Sequence, residues 1–544
     1  MNKTFLIVFV ALVIPILSSA RSQFNIENPT KYGLNFQHTD GQFGLKYFIE
    51  PIGCGLAMID YDNDGDLDLY FVNGCDLRHQ TKEVSNRFYR NDGGIFTDVT
   101  NETQTGHTGY GIGCCTGDYN NDGWTDLYLT NYGSNVLYKN NADGTFSDVS
   151  QTVGVDVKGF SSGCSFIDYD QDGWLDLYVA NYVQFDVSNN PSCKHLNQQT
   201  YCTPEIFDAE ADKLYRNNTD GTFSDVSELT NVSSKKGKGL GVVCGDFNHD
   251  NWPDIFVAND TTPDFLLQNS GGQFFREIGL MTGVGLSESG QALSGMGCNT
   301  GDYDNDGDLD IIVTNFQDQT NHLFRNDGSF LFTETSFQSG IGQRSLPYLS
   351  WGVDFADLNN DGWLDIFIAN GHLDDNIEEI DPVGTYQQPN QIFWNQKGDF
   401  FIERLLVDDH KVSRGSAFGD LDNDGDVDVV VVNLNDQPTI FRNSASNQNG
   451  YNWLTVKLIG SQCNRSAIGS NLTIFLNDSS ISWSKQSREV KSGSGYASQN
   501  DLRLHFGLGK AKIVDRLEIE WASGNQQIME QVKANQFLTV VEEE

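Results

Sequence analysis

Short runs in which apolar and polar positions alternate recur from Phe24 onward, with turn residues between them, and a period of two predicts β-strands. One such run follows an aspartate-rich turn seven times over, as in Asp68-Leu69-Tyr70-Phe71-Val72. After a short gap comes a second run with a common ending. It reads Phe88-Tyr89-Arg90-Asn91, Leu137-Tyr138-Lys139-Asn140, Leu214-Tyr215-Arg216-Asn217, Leu323-Phe324-Arg325-Asn326 and Ile440-Phe441-Arg442-Asn443. A turn and a third run come next, such as Phe96-Thr97-Asp98-Val99, Phe146-Ser147-Asp148-Val149 and Phe223-Ser224-Asp225-Val226. With the strand that leads into each turn, the unit has four short strands. Seven such units predict an all-β fold, a seven-bladed β-propeller. The last unit lacks its outer strand, while the chain start has one to spare in Phe24-Asn25-Ile26-Glu27. The N-terminal segment is therefore expected to complete the seventh blade, close the ring and cover an edge.

The turns themselves carry chemistry. They read Asp-x-Asp/Asn-x-Asp-Gly-x-x-Asp and begin at Asp60, Asp118, Asp168, Asp246, Asp302, Asp357 and Asp420. Oxygens at positions 1, 3 and 5 of a tight turn converge, the Gly at position 6 lets the backbone reverse, position 7 offers its carbonyl, and the Asp at position 9 closes the site. That is a set of hard oxygen donors for Ca²⁺. In the first copy the donors are Asp60, Asp62, Asp64, the carbonyl of Asp66, and Asp68. The second has Asp118, Asn120, Asp122, the carbonyl of Trp124, and Asp126; the third has Asp168, Asp170, Asp172, the carbonyl of Trp174, and Asp176. In the fourth they are Asp246, Asn248, Asp250, the carbonyl of Trp252, and Asp254, and in the fifth Asp302, Asp304, Asp306, the carbonyl of Asp308, and Asp310. The sixth copy offers Asp357, Asn359, Asp361, the carbonyl of Trp363, and Asp365, and the seventh Asp420, Asp422, Asp424, the carbonyl of Asp426, and Asp428. Up to seven calcium ions are expected. An EF-hand needs a carboxylate at position 12. Here that position is Phe71, Leu129, Val179, Val257, Val313, Ile368 and Val431, so the EF-hand is rejected. Copies with Asn at position 3 have one charge fewer and should bind more weakly. The fourth is the odd one, with Asn251 in place of Gly and Pro253 at position 8.

After Asn443 the pattern changes. A polar stretch, 444–452, is expected as a linker. Alternating runs at Leu454-Thr455-Val456-Lys457-Leu458, Leu472-Thr473-Ile474-Phe475-Leu476, Arg488-Glu489-Val490 and Leu517-Glu518-Ile519-Glu520-Trp521 predict a small β-sandwich-like domain over 453–544. Residues 1–20 fit a signal peptide: Lys3, an apolar run from Phe5 to Leu17, then Ser18-Ser19-Ala20. The propeller is then assigned to 21–443. No later stretch is long and apolar enough to span a bilayer.

Charge and cysteine content narrow the function classes. Asp and Glu number 75 against 34 Lys and Arg, a formal charge of −41. Such a surface repels nucleic acids, heparin-like chains and anionic membranes. Disorder is excluded by 38% hydrophobic and 12% aromatic content. Of the ten cysteines, Cys193 and Cys202 share one polar insertion and are expected to pair, with Cys54 and Cys75 as a second candidate. Cys54, Cys114, Cys164, Cys244 and Cys298 fall on one face of equivalent strands, as small core residues. Glycosylation sequons start at Asn101, Asn217, Asn231, Asn464, Asn471 and Asn477 on expected loops, and at Asn259 within a repeat.

The repeated turns and strands over roughly 24–443 resemble the FG-GAP or VCBS repeats of integrin-α-type propellers. In the tail, Ser492-Gly493-Ser494-Gly495-Tyr496-Ala497-Ser498-Gln499, Leu504-His505-Phe506-Gly507-Leu508-Gly509 and Trp521-Ala522-Ser523-Gly524 resemble the ASPIC/UnbV domain, with Ala522 where that family has Pro. The order of the two modules is similar to the cartilage acidic protein family, and Phe36-Gln37-His38 and Tyr70-Phe71-Val72-Asn73-Gly74 fit its first blade. The resemblance implies a secreted calcium-binding protein of the matrix or cell surface. An extracellular protein ligand is the expected partner, and the chain is expected to be a monomer. No catalytic role is expected. Gly159-Phe160-Ser161-Ser162-Gly163 matches a hydrolase elbow but leads into a strand rather than a helix, and His505 reads as a packed strand residue. The alternative is a lectin-like or hydrolytic propeller, in which Trp124, Trp174, Trp252 and Trp363 would serve a glycan.

Overall fold

The computed structural model describes residues 24–77, 84–477 and 481–543. In it each aspartate-rich turn joins the innermost and second strands of an antiparallel sheet. Blade 1 consists of Leu56–Ile59, Asp68–Phe71, Arg87–Asn91 and Phe96–Asp98, in spatial order. Six further blades repeat this order, and a short contact between Lys158–Ile167 and Asp126–Ser134 ties blades 2 and 3 together. The second strands, such as Asp310–Val313 and Asp428–Asn433, are buried along their whole length because neighbouring blades cover both faces. Their continuous apolar runs follow from that double burial.

Closure occurs as the sequence predicts. Phe24–Glu27 lies antiparallel to Thr439–Asn443, with Phe24 opposite Asn443 and Glu27 opposite Ile440. Phe24 meets Phe441 edge-on at 6.4 Å. The expected signal peptide, 1–20, lies outside the described residues. Around the axis the innermost strands pack side by side, the seventh beside the first. Glycine makes this approach possible: a Cβ on Gly415 would fall 2.5 Å from the Cys54 carbonyl, and one on Gly297 would fall 2.3 Å from the Trp351 carbonyl.

The C-terminal region forms two sheets. One orders Leu504–Gly509, Asn452–Ile459 and Phe537–Val541; the other orders Lys485–Glu489, Asn471–Phe475, Ile513–Glu520 and Gln526–Lys533. Leu454, Val456, Leu472, Ile474, Phe506 and Leu517 fill the space between them. The stretch read as a linker contains a short helix, Ala445–Asn449, anchored where the Ser446 N–H donates to the Asp426 carboxylate at 2.9 Å.

This module caps the face of the propeller that carries the turns, and residues 492–499 run into the central channel. There the Met58 N–H donates to the Gln499 carbonyl (3.0 Å), the Cys114 N–H to Ala497 (3.2 Å), the Cys298 N–H to Gly495 (3.1 Å), and the Ser165 hydroxyl to Ser492 (2.6 Å). A Cβ on Gly113 would collide with Ala497 at 2.8 Å, so this strand too needs its glycine. At the tip, Tyr496 stacks edge-on to Trp351 at 4.9 Å.

Cys193 and Cys202 form a disulfide. The expected Cys54–Cys75 bond is absent. Cys54 packs into the blade 1 and 7 core, whereas Cys75 belongs to a separate apolar cluster with Phe48 and Tyr110, and both are free and buried. Cys114, Cys164, Cys244 and Cys298 are likewise buried and free.

Candidate metal centres

Each turn is built by its own carboxylates. The aspartate at position 1 accepts backbone N–H groups across the turn: at Asp118 from Asp122 (3.1 Å) and Gly123 (2.7 Å), at Asp420 from Asp424 (3.1 Å) and Gly425 (2.7 Å). Position 5 accepts the N–H of position 7 in all seven turns, as Asp64 does from Asp66 at 2.8 Å and Asp250 from Trp252 at 2.9 Å. Position 6 needs a left-handed backbone, which glycine supplies at φ values such as 94° in Gly65. Asn251 takes the same conformation, φ 69°. The fourth turn therefore keeps the common backbone despite its sequence, because Asn tolerates this region better than other side chains.

Position 9 is the pivot. Asp68 receives the N–H of Tyr61 (3.2 Å) and of Asn91 (2.8 Å), and Asp126, Asp176, Asp254, Asp310, Asp365 and Asp428 receive the equivalent pairs. The asparagine that ends the third strand then links blades. The Asn140 amide donates to Thr125 in its own turn (3.2 Å) and to Tyr61 in the turn of blade 1 (2.8 Å). Asn91, Asn217, Asn269, Asn326, Asn395 and Asn443 reach the preceding turn in the same way, Asn91 closing on Leu421 of blade 7. Position 4 reaches forward instead. Asn63, Asn121, Gln171, Asn305 and Asn360 donate to the position 6 carbonyl of the next turn, Asn423 donates to Asp66, and His249 meets Asp308. The seven turns are thus one hydrogen-bonded ring.

Within the turns, carboxylate oxygens converge to within 4.8 Å in four places: Asp60, Asp62 and Asp68; Asp168, Asp170 and Asp176; Asp302, Asp304 and Asp306; Asp420, Asp422 and Asp428. These are the turns with Asp at position 3. Asp64, Asp172, Asp424 and Asp310 stand outside those triads. The second, fourth and sixth turns, with Asn120, Asn248 and Asn359, hold no three-carboxylate group among the described residues. Asn248 turns its amide to Asp250 (2.9 Å). At position 7 the side chains are engaged elsewhere: Trp363 is buried and donates to Ser482 (3.0 Å), Asp426 holds Ser446, and Asp308 holds His249. Only their carbonyls remain as donors.

The donor set fits a hard cation. One oxygen each of Asp60, Asp62, Asp170 and Asp302 is shielded from solvent and has no hydrogen-bond partner. A buried carboxylate oxygen without a donor is costly, and an ion in the turn satisfies it. Metal-free, the carboxyls shift accordingly. Burial, with the neighbouring carboxylates, pushes Asp168 up to about 7, and burial drives Asp302 and Asp420 to about 7 as well. Burial, with Asp62 and Asp60 adding to it, outweighs two N–H donors at Asp68 and raises it to about 9. In two blades an arginine of the third strand supplies part of the missing charge. Arg216 donates to Asp170 (2.7 Å) and Asp172 (3.3 Å), and Arg442 to Asp428 (2.7 Å) with Asp422 at 3.6 Å.

The cap adds charge of the same sign. Lys457 lies 3.6 Å from Asp60, Arg503 donates to the Gly65 carbonyl (3.3 Å), Lys485 to Asp306, and Trp483 to Asp361 (2.9 Å). His505 sits between Asn360 (2.7 Å) and Thr455 (3.0 Å), and burial lowers it to about 3, so it stays neutral. No hydrogen bond from the cap reaches the fourth turn among the described residues, and a cleft of about 610 Å³ separates them. The hydrolase-like Ser161 lies in the strand Lys158–Ile167, where it bonds Asn181 and Asn135.

Two sequence families match. The FG-GAP-like repeat model matches five stretches, 60–129, 118–179, 203–257, 246–313 and 302–368, together more than half of the chain, and the ASPIC and UnbV model matches 460–544. Relatives include cartilage acidic protein 1 of Xenopus tropicalis, 27% identical over 325 residues (56% of this chain, 46% of the relative), and that of Homo sapiens, 26% identical over 333 residues (58% and 46%). The match thus spans about half the length of these curated relatives. Among solved structures, an Agrocybe aegerita lectin described as recognising non-reducing terminal N-acetylglucosamine is 15% identical, with 65% of this chain and 81% of that chain covered at a TM-score of 0.40. BBS1N in complex with ARL6DN is 8% identical, with 78% and 98% covered at 0.42.

Proposed function

This chain belongs to the FG-GAP-like repeat family, and from that premise we propose that it is a secreted, calcium-loaded scaffold that binds a protein partner in the extracellular matrix or at a cell surface, with no catalysis of its own. The observation that carries the calcium reading is the set of shielded, partnerless oxygens on Asp60, Asp62, Asp170 and Asp302. Calcium, when bound, supplies positive charge to these oxygens. The chain's own residues hold the turns open to it through the ring of asparagine bonds. Asp60, Asp62 and Asp68, their equivalents in blades 3 and 7, and Asp302, Asp304 and Asp306 in blade 5 are the strongest holders; blades 2, 4 and 6 are weaker by one charge.

The Cys193–Cys202 disulfide supports an oxidising compartment. Sugar attachment is restricted by burial. Asn217, Asn259 and Asn464 are buried and hydrogen-bonded inside the fold, whereas Asn101 and Asn231 are exposed. The repeated tryptophans favour a scaffold over a lectin-like face: the Trp363 indole is buried, and that of Trp252 packs on Gly272. The test is to express the chain with its leader in a eukaryotic host and analyse protein from the medium by mass spectrometry. Bound calcium with sugar on Asn101 and Asn231, and none on Asn464, is the expected result. Retention inside the cell, or protein from the medium without calcium, would overturn the reading.

A further inference from the structure

We propose that the mouth of the channel opposite the cap is a binding well for an organic cation, an alkylated ammonium or guanidinium group on an apolar body. The cap closes the channel from one side, and Tyr496 and Trp351 meet at its floor. On the other side a cavity of about 240 Å³ remains, walled by Phe48, Tyr182, Tyr201, Phe316, Met296 and Trp351. Its lining contains two carboxylates, Asp260 and Glu205, and no Lys, Arg or His.

The tyrosines are arranged to make their rings electron-rich. The Tyr182 hydroxyl donates to the buried Asp260 carboxylate at 2.5 Å, and the Tyr201 hydroxyl donates to the buried Glu50 at 2.9 Å. The Tyr182 phenol donates to an anion beside its ring, whereas burial raises Glu50 to about 7, so the acceptor of Tyr201 is partly ionised at neutral pH. An aromatic box with negative charge at its wall attracts a desolvated cation through the ring faces. Burial raises Asp260 only to about 6, so it stays ionised at neutral pH. Three cations stand close and each is engaged: Lys46 lies over the Tyr201 ring at 4.6 Å and pairs with Asp375, Lys238 faces Asp260 and Glu205 and donates to the Pro204 carbonyl (2.7 Å), and Arg414 stacks on Trp351 at 4.1 Å while donating to the carbonyls of Pro51, Ser413 and Gly371, so the Tyr182 and Phe316 faces are the ones left for a guest. The Thr261 hydroxyl, also in the wall, has no partner and can accept from a guest.

The well is also built from parts a minimal blade does not need. Tyr201, Pro204 and Glu205 belong to the long insertion between the second and third strands of blade 3, which the Cys193–Cys202 disulfide staples and Asp374 pins at the Tyr201 N–H (2.9 Å). An insertion braced in this way over the open end of a channel points to a guest.

The test uses the full-length chain in millimolar calcium and calorimetric titration with three probes. They are choline, its neutral isostere 3,3-dimethylbutan-1-ol, and a capped tripeptide with a central arginine. Choline binding about tenfold or more tighter than the neutral isostere supports the proposal with a small amine as guest. Selective binding of the arginine peptide supports it with a partner's basic side chain as guest. Phe316→Leu and Tyr182→Phe, both checked for an unchanged melting temperature, should each weaken the preferred probe severalfold. Equal binding of choline and the isostere with no selective binding of the arginine peptide, or no binding of any probe, overturns it.

Discussion

Asn91, Asn140, Asn217, Asn269, Asn326, Asn395 and Asn443 perform the same task in seven places, joining each turn to the one before it. Five of them stand out in the sequence as the end of an aromatic–basic–Asn run. Asn269 and Asn395 do not, because Gln268 and Trp394 replace the basic residue, and no local pattern says that the amide spans two blades. Asn140→Ala leaves the buried carbonyl of Tyr61 and the half-buried one of Thr125 without this donor and should cost about 2–4 kcal/mol. Urea denaturation of the calcium-loaded protein measures this; a loss below about 0.5 kcal/mol would show that the ring of amides contributes little. The turn carboxylates add a pH signature. In the metal-free chain burial holds Asp118 at about 6 and Asp357 and Asp420 at about 7, above the unfolded value of about 3.9. The folded state then binds more protons than the unfolded state between these values, so metal-free stability falls as pH rises from about 4 to 7. Calcium needs the ionised carboxylates, and the loaded protein should lose stability in the opposite direction, on acidification. Melting temperatures with EDTA at about pH 5 and pH 7.5 check the sign; a higher metal-free value at the upper pH would contradict it.

At the scale of elements, the strands and the seven turns are legible because their period and spacing are local. Closure is legible as well, since Phe24-Asn25-Ile26-Glu27 has the pattern of the strand that the last unit lacks. The C-terminal insertion into the channel is not. Residues 492–499 carry small residues and one tyrosine, a composition that also suits an exposed loop, and only the glycines of the innermost strands show in retrospect that another backbone must come close. The Cys54–Cys75 expectation fails because closeness in sequence does not bring the two side chains together: they pack in different apolar clusters. Deleting residues 21–36 removes the outer strand of blade 7 and bares the edge of Thr439–Asn443. The truncated chain should melt earlier and show aggregates in size-exclusion chromatography. Unchanged melting and a single monomeric peak would mean that the ring closes without this strand.

The whole molecule is a ring held in three ways: by its N-terminal strand, by the amides between turns, and by a cap that sets Lys457, Lys485 and Arg503 over the acidic face. A chain with a formal charge of −41 concentrates much of that charge in the turns. Like charges a few ångström apart oppose the ring unless cations join them. The cap and Arg216 and Arg442 offset part of this, and calcium is expected to offset the rest. Each occupied site adds about 1 kcal/mol near millimolar calcium at the affinities usual for extracellular modules, so several sites together approach the stability of an ordinary domain. The most direct test is a thermal melt of the protein in excess EDTA, followed by the same melt after calcium is restored. The account predicts a fall in melting temperature of about ten degrees or more, fully reversed by calcium and not by the same concentration of sodium chloride. A melting curve indifferent to EDTA and to added calcium would contradict it.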